Sequence, residues 1–238
     1  MKPYQKIKIQ ECDEPLIPIP LKLFAIESPH PYQKLGAPYN LSQTKSPYFL
    51  RKKVLDSLTI AQTKLQQNHP GWQIQIFDAY RPIIVQQFMV DYTYAETVKA
   101  HGLKLESPSL SQAKRQEILE LVYQFWAVPN QDPTTPPPHS TGAAIDITLV
   151  DGNGKTIDMG SPIDELSPRS YPNHFLDHQN KEAQKYHQHR KLLAEIMLFA
   201  GFKQHPQEWW HFSLGDQMWA WLTNSGGKVV AKYGRVEP

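Results

Sequence analysis

The stretch Pro-Pro-His-Ser-Thr-Gly-Ala-Ala-Ile-Asp-Ile-Thr-Leu-Val at 137–150 constrains this chain more than any other. From Ala143 onward small, apolar and polar residues alternate with a period of two, the mark of a strand with one face in a core. On such a strand Ile145, Ile147 and Leu149 point one way, and Asp146 and Thr148 point the other. His139 lies just upstream, and Gly142 lets the backbone between them turn sharply. A histidine and an aspartate thus converge from the open side of a sheet. Metal ligation accounts for that arrangement most economically.

Two side chains do not complete a catalytic metal site. Catalytic zinc takes three protein ligands and keeps one position for water. Glu208-Trp209-Trp210-His211-Phe212-Ser213 offers the third. Its aromatics read as the core face of a strand or its approach, leaving Glu208 and His211 to face something polar. His139, Asp146 and His211 as ligands, with Glu208 as a base outside the set, are what zinc hydrolysis requires. Taken singly, each histidine reads better as a surface or satisfied core residue; the joint constellation favours a metal.

The rest of the chain frames these two stretches. Leu50, Val54, Leu55, Leu58, Ala61 and Leu65 recur at helical spacing, which predicts an amphipathic helix over 48–67 stopped by His69-Pro70-Gly71. Trp72 to Phe77 alternates as a strand and ends in Asp78-Ala79-Tyr80-Arg81-Pro82. Pro82 suits the first turn of a helix, continued by Ile84, Val85, Phe88 and Met89 as a largely buried helix. Arg81 therefore sits at a strand-to-helix corner, either held there for function or paired with Asp78 or another carboxylate.

Ser109 and Gln112 predict a capping box for a helix whose apolar face is Ile118, Leu121, Val122 and Phe125. Asp151-Gly152-Asn153-Gly154 predicts a turn that pairs the 143–150 strand with 156–159 as a hairpin. Leu192 to Phe199 reads as a helix ended by Gly201, and Met218 to Leu222 as a short closing helix. Ile7 and Ile9 suit one short strand near the N-terminus, and Leu21 to Ile26 another. Tyr32, Tyr39 and Tyr48 fall in a loop region; such tyrosines more often cover a core than touch a substrate. His174, His178, His187 and His189 crowd one region, as solvated surface or, less economically, as a second metal site. The chain reads as one domain over 1–238, with 1–48 an irregular extension and no internal repeat.

Composition excludes several functions. A net charge of +2 without a Lys/Arg block gives no reason to expect nucleic acid or an anionic membrane as partner. The single cysteine, Cys12, rules out both an internal disulfide and a four-cysteine zinc site. No apolar run approaches the roughly 18 residues of a membrane span, and no secretory signal pattern opens the chain. A soluble, cytoplasmic protein is the expectation.

These residues carry a family resemblance. His139-Ser140-Thr141-Gly142-Ala143-Ala144-Ile145-Asp146 and Glu208-Trp209-Trp210-His211 resemble motifs of the D-alanyl-D-alanine dipeptidases, zinc enzymes similar to the vancomycin-resistance dipeptidase. Asp78-Ala79-Tyr80-Arg81-Pro82 and Met159-Gly160-Ser161-Pro162-Ile163-Asp164 resemble two further motifs in the same order, so the likeness spans roughly 72–214. It implies an α+β fold shared with D,D-carboxypeptidases and the hedgehog N-terminal domain: a small antiparallel sheet with helices packed on it. It implies one Zn2+ per chain on His139, Asp146 and His211, with Glu208 activating the metal's water. It also implies that Arg81 stabilises the developing oxyanion, that Asp164 meets the substrate's free amino group, and that an N-terminal tyrosine, Tyr32, contributes to the site. The implied partner is a small D,D-dipeptide.

One position departs from the family pattern. Pro137 stands where a serine is usual and has neither hydroxyl nor N–H to offer. That bears on how the dipeptide is held, not on zinc chemistry. The competing expectations are a D,D- or L,D-carboxypeptidase acting on peptidoglycan stems and a non-catalytic, zinc-stabilised binding module. Glu208 and Arg81 together argue against the second, since a purely structural site needs neither.

Overall fold

The computed structural model describes residues 2–42, 46–107, 110–223 and 229–236. Its elements are β1 (Leu16–Pro18), β2 (Ala25–Ile26), α1 (Pro31–Lys34), β3 (Phe49–Arg51), α2 (Lys52–Asn68), β4 (Gln73–Asp78) and α3 (Ile83–Ala100). They continue with α4 (Gln112–Phe125), β5 (Ala144–Val150), α5 (Lys181–Phe199), β6 (Lys203–Gln204), β7 (His211–Ser213) and α6 (Gln217–Thr223). Five strands form one sheet in the order β2-β4-β5-β7-β6, and β1 pairs with β3 apart from it. The expected α+β architecture is present. The sheet is mainly antiparallel, and the departure is its edge, where β2 runs parallel to β4.

Alternation sorts the strands into two faces. The core face carries Ile74 and Ile76 of β4 with Ile145, Ile147 and Leu149 of β5, all buried. Onto it pack Val54, Leu58, Ala61 and Leu65 of α2 and Leu193, Ile196 and Met197 of α5, at the three- and four-residue spacing of a helix stripe. Each such aliphatic side chain taken from water contributes roughly 1.5–3 kcal/mol. A second apolar cluster joins Tyr32 and Tyr39 to Val85, Met89 and Val90 of α3 and to Val122 and Trp126.

The opposite face is built by register. Asp146 of β5 stands opposite His211 of β7. On its other side the β4–β5 register slips between Ile76 and Asp78, so Asp78 rather than Phe77 stands opposite Asp146. Without that slip Asp78 would oppose Ile145 and turn toward the core. Three strands thereby present Asp78, Asp146 and His211 side by side.

Several expectations shift by a few residues. The helix expected from 48 starts at Lys52 because Phe49–Arg51 pairs with β1 instead. The strand expected over 21–26 contracts to Ala25–Ile26, since a turn closed by the Leu23 N–H on the Pro20 carbonyl occupies its start. Ile9 makes a single bridge with Ala231. Pro82 caps α3 rather than entering it, and Ile84 is exposed. The hairpin with 156–159 contracts to one bridge, Val150 to Thr156, because β7 already occupies the start of that β5 edge. Ser109 lies outside the described residues; Ser111 caps α4, its Oγ accepting the Lys114 N–H at 3.2 Å. No described helix is long and apolar enough to cross a membrane.

Candidate metal centre

His139 sits in a short 3-10 turn, Pro138–Thr141, between the proline-rich loop and β5. Gly142 makes the bend, with φ at +68°, and a Cβ there would collide with the Leu16 side chain. Glycine meets both demands. The turn is stitched to the Asp78–Arg81 corner: Arg81 N–H donates to the His139 carbonyl at 3.3 Å, and Ser140 Oγ donates to the Arg81 carbonyl at 2.8 Å.

The outer bonds of both histidines decide which nitrogen faces inward. His139 Nδ1 lies 2.7 Å from the Ala79 carbonyl, which can only accept, so Nδ1 carries the proton and Nε2 a lone pair. Ser213 Oγ donates to Asp216 Oδ2 at 2.9 Å and lies 3.4 Å from His211 Nε2. That hydroxyl's proton is taken, so His211 Nε2 donates and Nδ1 is left as the lone pair. The two lone pairs face each other at 3.2 Å. Asp146 completes the ring, with Oδ1 3.0 Å from His211 Nδ1 and Oδ2 3.2 Å from His139 Nε2.

Three electron-rich atoms at this range repel one another unless a cation lies between them. Tetrahedral zinc with bonds of about 2.0–2.1 Å sets its ligand atoms about 3.3 Å apart, close to the spacing seen. Among the described residues, His139, Asp146 and His211 are the group of three whose ligand atoms converge, all within 4.8 Å and all buried. The set therefore fits a divalent metal. Burial works against the Asp146 carboxylate, yet the two imidazoles outweigh it and hold its carboxyl well below the usual range. The crowded histidines elsewhere form no comparable set among the described residues; His174 and His178 meet ring to ring at 5.3 Å.

The other expected residues surround this ring. Glu208 is buried, with Oε2 3.8 Å from His211 Nδ1 and Oε1 3.7 Å from His205 Nδ1. Burial, followed by repulsion from Asp146, pushes its carboxyl well up. Arg81 is paired as the salt-bridge reading expects, and its Nη2 edge also reaches the donor ring. Its Nε and Nη2 engage Asp78 at 2.8 and 2.7 Å, and Nη1 donates to Gln86 Oε1 at 2.9 Å. The Nη2 edge also reaches Asp146 and the Tyr32 hydroxyl, each at 3.3 Å. The Tyr39 hydroxyl donates to Asp78 at 2.9 Å, completing the clamp on the guanidinium. Burial would raise the Asp78 carboxyl, but Arg81 above all holds it down.

Tyr32, from α1, donates its hydroxyl to Asp164 at 2.8 Å. Asp164 has φ of +65°, a backbone region that aspartate enters more readily than most residues. Burial, then the Asp146 charge, raises its carboxyl to about 7. All the expected residues except Tyr32 line one cleft, and Tyr32 backs it through Arg81 and Asp164. Lys2, Tyr4, Gln86, Trp126 and His205 line it too; sequence reasoning missed them. Gln86 had a usable signal, a polar residue on the buried stripe of α3. Lys2 and Tyr4 had none, because long-range packing brings them in.

The chain is similar to one protein family and to several known proteins. The family described as D-ala-D-ala dipeptidase (Peptidase_M15) matches residues 27–226. A D-alanyl-D-alanine dipeptidase of Synechocystis sp. is 52% identical over 246 residues, 100% of this chain and 98% of its own. One of Escherichia coli (strain K12) is 31% identical over 160 residues, 66% of this chain and 60% of its own. A solved vancomycin-resistance D,D-pentapeptidase, VanY with Zn(II), covers 69% of this chain and 72% of that one at 18% identity and a TM-score of 0.43, a loose likeness. Similarity over the whole length of one relative, and a family match that contains all three converging donors, lead to one conclusion: the chain belongs to the D-ala-D-ala dipeptidase family.

Proposed function

We propose that this chain hydrolyses D-alanyl-D-alanine to two D-alanines with one zinc ion held by His139, Asp146 and His211. The observation that carries the proposal is the donor ring. Two imidazoles, their outer nitrogens occupied by Ala79 and Ser213, turn lone pairs toward a carboxylate. Zinc bound there supplies Lewis acidity, bringing the pKa of water to about 7 and polarising a carbonyl.

The remaining roles belong to the chain's own side chains. Glu208 takes a proton from the attacking water and returns it to the leaving amine; burial raises its carboxyl and so strengthens it as a base. Arg81 presents its Nη2 edge where the scissile carbonyl gains negative charge, and Asp78 and Gln86 keep it from swinging away. Asp164, bonded to Tyr32, receives the substrate's free ammonium. Its carboxylate gives a mechanism for rejecting peptides extended at that end.

Folding as a single domain and residence in the cytoplasm belong to the same proposal, to be checked by cooperative unfolding and by cell fractionation. The decisive experiment offers zinc-loaded protein D-Ala-D-Ala, L-Ala-L-Ala, N-acetyl-D-Ala-D-Ala and a stem pentapeptide. Cleavage of the first alone is expected. Release of D-alanine from the pentapeptide would move the chain to the carboxypeptidases, and no cleavage of any would make it a binding module.

A further inference from the structure

The cleft must hold a dipeptide by both ends, yet it is richer in anions than in cations. Asp146, Asp164 and Glu208 line it; Arg81 and Lys2 are its positive lining residues. Arg81 is committed to Asp78, Gln86 and Asp146. Lys2 is not. Among the described residues its ammonium makes one hydrogen bond, a 3.5 Å contact with the Gln124 carbonyl, and no ion pair. Burial lowers its proton affinity, and the charge of Glu208 acts the other way. A half-buried ammonium without a bound anion is a site short of its partner.

Lys2 is held in place by the fold. Its N–H donates to Gln5 Oε1 at 2.8 Å, and Tyr4 beside it is buried. Gln217 of α6 donates to the Ile7 carbonyl at 2.7 Å and to the Thr134 carbonyl at 3.0 Å. Further on, the Gln10 and Cys12 N–H groups donate to the carbonyls of Ala231 and Lys232. The N-terminal segment is thus a strap across the cleft. Its ammonium acts on Glu208 and His205, whereas Tyr32 and Asp164 pair with each other. Glu208 must reach the amine of the departing residue, so that residue, which bears the dipeptide's carboxylate, lies on the Glu208 side. Pro138, which also lines the cleft, has no N–H to donate. An extended dipeptide spans only about 7 Å, so one short cleft can serve both of its ends.

We propose that Lys2 is a specificity-determining residue that receives the C-terminal carboxylate of the substrate, opposite the ammonium end taken by Asp164. This rests on the dipeptidase reading. The test compares parent, Lys2→Gln and Lys2→Arg on D-Ala-D-Ala and on its C-terminal amide. Lys2→Gln is expected to raise KM for the free acid by about ten- to hundredfold, the range for losing a charge-assisted hydrogen bond. It should leave kcat and all cleavage of the amide near parental values, and Lys2→Arg should restore most of the loss. Equal effects on acid and amide, or none on either, would overturn the assignment. Calorimetry on zinc-loaded Glu208→Ala protein gives a second readout without turnover. There the Lys2→Gln change should weaken binding of the acid and not of the amide, and equal binding of the acid with and without the change overturns the assignment. Parent protein that binds the dipeptide but never cleaves it would instead refute the dipeptidase reading and leave the Lys2 comparison intact.

Discussion

The two faces of β5 are equally buried and owe their order to different forces. Ile145, Ile147 and Leu149 lie among aliphatic side chains from α2 and α5. Asp146, one residue away, is as deeply buried but lies among His139, His211 and Arg81. The first face is held by area removed from water, which is additive and forgiving of exact chemistry. The second is a network in which every polar group depends on its neighbour, so removing one leaves others unpaired. Stability should therefore reside mainly on one face and chemistry on the other.

That separation can be broken in stages. The largest effect is expected from Glu208→Ala, which should retain zinc by elemental analysis while turnover falls by about 10²–10⁴. Equal turnover in variant and parent would remove the base from Glu208. Arg81→Lys should lower kcat by about 10²–10³. A lysine has no fork with which to hold Asp78 and Gln86 while still facing the cleft, and steady-state kinetics checks this. On the other face, Ile147→Ala should cost about 2–5 kcal/mol in urea unfolding, with the folded fraction still turning over substrate at the parental rate. If that variant instead loses zinc affinity first, the two faces are not separable.

The smallest effect concerns pH. The Asp164 carboxyl is raised in the folded state to about 7, by burial first and then by Asp146. A carboxyl with a raised folded pKa favours the fold at low pH, and that contribution fades as pH climbs through the folded value. Zinc-free Asp164→Asn should therefore match the parent near pH 4 and melt higher than the parent near pH 8. An unchanged difference in Tm across that window would show that Asp164 is charged throughout.

The parts of this molecule that could be read in advance are those encoded locally. The β5 alternation, the turn at Gly142 and the polar pair Glu208 and His211 among aromatics each lie within a few residues, and the structure brings His139, Asp146 and His211 together at one point with Glu208 beside them. The Asp78–Arg81 corner was legible for the same reason, as a strand running into a proline-capped helix. Tyr32 could be reached only through family resemblance, because its contact with Asp164 joins residues 132 apart. Lys2 and Tyr4 gave no signal at all, since Gln217, Ala231 and Lys232 at the far end of the chain bring them to the cleft. The parallel edge was equally hidden: a two-residue strand such as β2 carries no periodicity from which a direction could be inferred.

The slipped register at Phe77 has a consequence for how this sequence can vary. A strand of alternating residues normally tolerates loss of its composition better than loss of its count. Here, regular pairing of Phe77 with Asp146 would leave every proposed ligand untouched but turn the anchor of the arginine into the oily side of the sheet. The guanidinium would then lose its tether on Asp78. The extra residue that makes the slip is thus as much a part of the candidate site as any side chain the segment carries.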